Sequence, residues 1–229
     1  MHRPLSRGPR GSTLLEATVV LVMLGLLSAI AVPRFLSSRA RAHQAEVRNN
    51  LNSWMHAQRS YFEEVGRYEQ DLHALGFTID RGNRYAYYFG LMPDPCEKRD
   101  TAEAVRPPPN PRRPLTCIEA DRYVHGRNTA GRPPWFRRGG DDITHTGEGF
   151  APGNPGPTNG PEGWSSVGNI SAFAVGNIDD EVYGMDTWYI SSADSRVSMK
   201  CGDSKEHLAA GTPINYYDDL EHDGIAGCF

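Results

Sequence analysis

The sequence has no H-E-x-x-H, no C-x-x-C and no EF-hand spacing, and Gly163-Trp164-Ser165-Ser166-Val167-Gly168 misses the G-x-S-x-G nucleophile elbow by one residue. Its eight histidines are scattered, and no glycine-rich segment opens a helix with a dinucleotide pattern. These absences leave no catalytic set, no metal site of known spacing and no cofactor to expect. A large net charge is also lacking: the balance is -4 with a pI near 6.1, which gives no general reason to expect nucleic acid. A mean hydropathy of -0.54 excludes a protein with many membrane spans. Two further absences are local. No Asp or Glu stands among the first eleven residues, and no Lys or Arg stands between Thr13 and Pro33.

What is there begins at the amino end. Arg3, Arg7 and Arg10 precede Gly11, a positive block that stays cytoplasmic while the following segment enters a bilayer with its carboxyl end outward. From Thr13 to Val32 the chain offers twenty mostly apolar residues, at about 1.5 Å each enough for a hydrocarbon core of roughly 30 Å. Glu16 interrupts this run, and an ionised carboxylate there costs at least ~2.5 kcal/mol unless a cation neutralises it. Within the chain the nearest candidate is the amine freed by cutting after Gly11; a group on a neighbouring copy serves equally well. The competing reading is a secretory signal with a peptidase site at Ala29-Ile30-Ala31. A glutamate near the head of the apolar core is unusual for such a signal, and the helical pattern continues past Val32.

The stretch GSTLLEATVVLVMLGLLSAIAVPRF resembles the amino-terminal signature of type IV pilins and of the pseudopilins of secretion systems. The resemblance implies that a prepilin peptidase cuts after Gly11 and methylates Ser12, which stands where the family usually has phenylalanine. It implies that Glu16 neutralises a neighbouring subunit's terminal amine during assembly, and that Gly25 and Pro33 bracket a segment that often melts in the filament.

After Pro33 the chain turns polar but keeps helical periodicity. Val47, Leu51, Trp54, Gln58, Tyr61 and Val65 form a core stripe, Arg39, Arg41, Glu46, Arg48 and Arg59 face outward, and Gly66 is the stop. Strand patterns follow at 84–91, 170–175, 187–191 and 196–201. Helix first and strands after indicate an α+β fold, a long helix packed on an antiparallel sheet of about four strands. The organisation expected is a leader at 1–11, an apolar transmembrane and assembly helix at 12–33, an amphipathic helix at 34–66 and a globular head at 67–229. Thirteen of the seventeen prolines fall in 93–161, which reads as a long loop with sparse regular structure.

Cys96, Cys117, Cys201 and Cys228 all follow the apolar run, and an even count in an exported region suggests disulfides. Three connectivities are possible; the sequence-local pairs close the smallest loops. The head segments GFTIDRGNRYAY and DTWYISSADSRV, with Cys201 and Cys228 after them, are similar to the major pilins of gliding myxobacteria. That resemblance implies that Cys201 and Cys228 pair to fix a carboxyl-terminal loop to the sheet.

Charge is unevenly spread. Residues 98–138 hold ten Lys or Arg, whereas 170–229 hold eleven Asp or Glu against three Lys or Arg. Arg112, Arg113, Arg137 and Arg138 are a candidate basic patch for anionic polysaccharide or DNA, against the simpler reading of compensation within the molecule. Asp179, Asp180, Glu181, Asp218, Asp219, Glu221 and Asp223 could offer oxygens to calcium, against the simpler reading of solvated acidic turns. The preferred reading is a structural pilus subunit for motility or adhesion. It starts as a single-pass precursor in the bacterial inner membrane, with other pilin subunits, the prepilin peptidase and an inner-membrane assembly platform as partners, and ends in an extracellular filament. The alternatives are a type II secretion pseudopilin, a minor pilin and a membrane-anchored extracytoplasmic binding protein.

Overall fold

The structure is a computed structural model that describes residues 12–89, 95–110, 112–126, 143–145, 170–178, 185–198 and 205–220. The chain divides into two compact units, Met1–Arg41 and Ala42–Phe229. Helix α1, Ser12–Val65, contributes to both and carries Pro33 inside it. The expected stop holds: Gly66 takes a φ of 78° and its N–H donates to the Phe62 carbonyl at 2.8 Å. A positive φ closes a helix end with little strain only at glycine.

In the second unit the core stripe of α1 is buried at Val47, Leu51, Trp54, Met55 and Gln58, while Tyr61 is partly buried and Val65 is exposed. Gln58 has a physical reason to sit among apolar residues. Its Nε2 donates to the Glu69 carbonyl at 2.5 Å and its Oε1 accepts from the Glu69 N–H at 3.1 Å. The side-chain amide thus satisfies both backbone groups of the chain leaving the helix, as a strand neighbour would. Trp54 packs on Phe89 with ring centroids 5.1 Å apart, and Phe77 meets the same ring edge-on at 5.6 Å.

The remaining elements are helices α2 (Leu72–Leu75) and α3 (Arg122–His125) and strands β1 (Ala86–Tyr88), β2 (Cys96–Glu97), β3 (Cys117–Ile118), β4 (Ile143–His145), β5 (Ser171–Gly176), β6 (Asp186–Ser191), β7 (Ser195–Ser198), β8 (Lys205–Leu208) and β9 (Ile214–Tyr217). Six strands form one sheet in the order β2-β3-β1-β5-β6-β9, and three form another in the order β4-β7-β8. The α+β expectation stands, and the expected strands at 84–91, 170–175, 187–191 and 196–201 correspond to β1, β5, β6 and β7. The sheet is wider than the four strands expected, and it is mixed: β2 runs parallel to β3, with Cys96 opposite Cys117. Two-residue strands carry no alternation to read, which is why the sequence pattern misses them.

The central pair β5 and β6 is antiparallel over six residues each, from Ser171 opposite Ser191 to Gly176 opposite Asp186, and both strands are buried throughout. Gly176 is required there: a Cβ would lie 2.9 Å from the ring of Tyr85. The described residues within 93–161 are more than a surface loop. They supply β2, β3, α3 and β4, two of which join the main sheet.

Candidate assembly site

In the first unit, all fourteen large apolar side chains from Leu14 to Leu36 are 44–74% exposed. Monomeric soluble proteins seldom show more than a few hundred Å² of contiguous apolar surface, so this face demands a covering. The helix is long and apolar enough to cross a membrane, and none of its most apolar window is buried. Glu16 is exposed within it and has no hydrogen bond or ion pair among the described residues. Thr18, half a turn on, turns its hydroxyl back to the Leu15 carbonyl at 2.8 Å, which keeps it compatible with an apolar surrounding. Open space surrounds the Cα of Gly25. The chain at Gly25 and Pro33 is helical here. Ser12 begins the helix and Gly11 lies outside the described residues.

The basic stretch is partly spent inside the head. Arg99 is 1% exposed, and its guanidinium is saturated: Nε and Nη2 reach Glu97 Oε1 at 2.8 and 2.6 Å, Nη1 reaches the Asp80 carbonyl at 2.7 Å and Asn83 Oδ1 at 2.5 Å, and Nη2 also reaches the Ile79 carbonyl at 2.6 Å. Arg106 takes the other oxygen of Glu97 at 2.6 Å. Arg81 holds Asp121 at 2.6 and 2.9 Å. Burial pushes Asp121 up, but the hydrogen bonds from Arg81 and from the N–H groups of Gly82 and Val124 outweigh it and hold its carboxyl below the usual range. Compensation within the molecule therefore accounts for Arg99 and Arg106. Arg112 and Arg113 are exposed, and Arg137 and Arg138 lie outside the described residues.

The acidic half holds a hub that sequence reasoning missed. Asp186 heads β6, fully buried, and all its hydrogen bonds come from neutral donors. Its Oδ2 accepts from the Tyr85 hydroxyl at 2.5 Å and Trp188 Nε1 at 2.7 Å; its Oδ1 accepts from Asn215 Nδ2 at 2.9 Å, Gln44 Nε2 at 3.1 Å and the Asp219 N–H at 3.3 Å. Gln44 Nε2 also donates to Asp218 Oδ1 at 2.9 Å. Burial pushes the Asp186 carboxyl up despite these donors, and it pushes the Tyr85 hydroxyl well above its ordinary value, where the neighbouring Asp186 charge adds to the effect. Helix α1, the strand pair and the chain after β9 thus meet on one carboxylate. Of the residues considered for calcium, Asp218 and Asp219 belong to this hub, and the other five lie outside the described residues. The only sequence signal for the hub was an acid placed directly before the apolar strand Thr187 to Ser191.

Cys96 and Cys117 are joined, with Cα atoms 4.7 Å apart, across the parallel pair β2 and β3; Cys201 and Cys228 lie outside the described residues. A bridge closing 21 residues contributes about 3 kcal/mol by chain entropy. Cys96→Ser with Cys117→Ser is expected to lower the melting temperature of the purified chain by several degrees. No shift would mean that Arg99 and Glu97 alone hold this edge.

The family described as type IV pilin PilA matches residues 38–185. A relative described as type IV major pilin protein PilA, from Myxococcus xanthus (strain DK1622), is 32% identical over 229 residues, covering 95% of each chain.

Proposed function

We propose, from the premise that the chain belongs to the type IV pilin family, that it is a structural subunit of a type IV pilus that polymerises with other pilin subunits. The observation that carries this reading is the exposed apolar half of α1 with an uncompensated Glu16 in it. Such a face is covered by lipid before assembly and by the same face of other copies afterwards, and each Glu16 then meets a cation from a neighbour. The match to a major pilin over nearly the whole of both chains favours a fibre subunit over a pseudopilin, a minor pilin or an anchored binding protein. We place the precursor in the inner membrane, with Arg3, Arg7 and Arg10 cytoplasmic, cleavage by a prepilin peptidase after Gly11, methylation of Ser12 and extraction through an assembly platform into an extracellular filament. Mass spectrometry of sheared surface filaments tests this. The chain is expected as their main component, beginning at Ser12 and carrying a methyl group there. Its absence from filaments would overturn the reading.

A further inference from the structure

We propose that Arg34, Arg39 and Arg41 form a cationic collar that binds anionic phospholipid headgroups of the leaflet on the exported side, fixing how deep the apolar half of α1 sits before assembly. This rests on the membrane-precursor reading above. All three arginines belong to the first unit and are exposed, and among the described residues none of their guanidinium groups has a hydrogen bond or ion pair.

The sequence leaves these cations without a partner of their own. From Ala17 to Ala45 the chain contains no Asp or Glu, and Glu46 ends that stretch. Arg48 is also exposed, but it follows Glu46, belongs to the second unit and is no part of the collar. At about 100° per residue, Arg34 and Arg41 fall within about 20° of each other around the helix, and Arg39 about 140° from Arg34. Cations on two sides of one helix suit a partner that surrounds it. A lipid surface does so, whereas a single neighbouring chain meets one face only.

Depth points the same way. With the apolar run that ends at Val32 filling the hydrocarbon, the Cα atoms of Arg34, Arg39 and Arg41 stand about 3, 10 and 13 Å beyond its edge. Side chains of an α-helix lean toward its amino end, here the membrane side, so each arginine covers the turn before its own Cα, about 5 Å back. The three charges then fall within, or at the outer margin of, a headgroup layer roughly 5–8 Å thick. The residues between them suit the same boundary. Phe35 and Leu36 are 68% and 57% exposed and lean toward the acyl chains, while Ser37 turns its hydroxyl back to the Arg34 carbonyl at 3.1 Å.

Lipid selectivity of the purified full chain in vesicles tests this. Spin-labelled lipid is introduced into the outer leaflet of phosphatidylcholine–phosphatidylglycerol vesicles that carry the head outward, so that Arg3, Arg7 and Arg10 face the other leaflet. Labelled phosphatidylglycerol should be enriched beside the protein about fivefold over labelled phosphatidylcholine. Arg34→Gln, Arg39→Gln and Arg41→Gln together should bring the two lipids to within about twofold of each other, as should salt near 1 M, whereas Arg48→Gln should leave the preference unchanged. A parent chain without preference, or a triple variant that keeps it, overturns the proposal. An equal loss in Arg48→Gln overturns it as well, because net charge and not the collar is then the cause. A parent chain washed off the vesicles at alkaline pH overturns the membrane reading and this proposal with it; a chain that stays but shows no preference overturns the proposal alone.

Discussion

Glu16→Ala is expected to remove the chain from surface filaments while leaving it folded and membrane-bound. The substitution deletes the only ionisable group between Thr13 and Pro33. It makes the segment more apolar, so residence in lipid becomes easier by at least ~2.5 kcal/mol if the carboxylate was ionised there. Under the proposed assembly, transfer from lipid into a bundle of copies loses by the same change, because the charge pairing proposed for Glu16 can no longer form. Both effects act in one direction, and loss of filament incorporation by a factor of ~100 or more is the expected result. Immunoblots of sheared and membrane fractions would measure it. Equal recovery of parent and variant in the sheared fraction sinks the assembly role of Glu16. The conservative Glu16→Gln separates charge from shape, and it is expected to fail nearly as badly as alanine.

Asp186→Ala is expected to be the most damaging single change in the head. It leaves the Tyr85 hydroxyl, Trp188 Nε1 and the amide of Asn215 without their acceptor, while Gln44 keeps its bond to Asp218. Buried donors deprived of a partner cost about 1–3 kcal/mol each before relaxation, so a loss of roughly 3–5 kcal/mol is conservative. Against the 5–15 kcal/mol typical of whole domains, that places the head near its margin, and a fall in melting temperature on the order of 10 °C is expected. Asp186→Asn should rescue little. Both carboxylate oxygens receive donors, so one of them becomes an NH₂ group facing N–H or O–H, and Trp188 Nε1 cannot accept. A variant melting within two or three degrees of the parent would remove the hub from the stability argument.

The same carboxylate gives the head a pH signature whose sign is fixed. The folded state holds Asp186 above its unfolded pKa, mainly through burial, so folding takes up a proton between the two values. Stability therefore rises as pH falls through the raised pKa, and the gain is complete once pH drops below the ordinary carboxylate value of 3.8. Asp121 has the opposite sign: its folded pKa is depressed, and its contribution is lost as pH falls from 3.8 through the lower value. Melting temperature of the purified chain is expected to climb on mild acidification and to turn down again at more acid pH. A monotonic fall from neutral pH downward would contradict the assignment for Asp186.

How much of this was legible from residues alone follows from physics. The apolar helix, its glutamate and its Gly66 stop were readable because each is local: length, charge and a positive φ are properties of a few consecutive residues. The strands β5 and β6 were readable from apolar runs. Gln58 fitted the core stripe by spacing, but its reason, a side-chain amide closing on the backbone of Glu69, depends on a chain return that no pattern encodes. The Arg99 cluster was hidden for a similar reason. A run of cations reads as a surface feature, and only the fold reveals that carbonyls at 79 and 80 converge where a guanidinium can replace water. The hub at Asp186 collects donors from positions 44, 85, 188, 215 and 219, and sequence distance conceals such convergence completely. The short parallel pair β2 and β3, bridged by Cys96 and Cys117, has two residues in each strand, too few to show a pattern.

The fourteen exposed apolar side chains of α1 carry a thermodynamic consequence for the fibre. If the subunit moves from bilayer to bundle, water is never the starting solvent, and the transfer is from one oil-like medium to another. The usual gain of about 25 cal/mol per Å² is then nearly absent, since hydrocarbon tails cover leucine as well as another leucine does. Growth and shrinkage of such a polymer lie close to balance. A few charged contacts and the packing of heads are then enough to tip the direction.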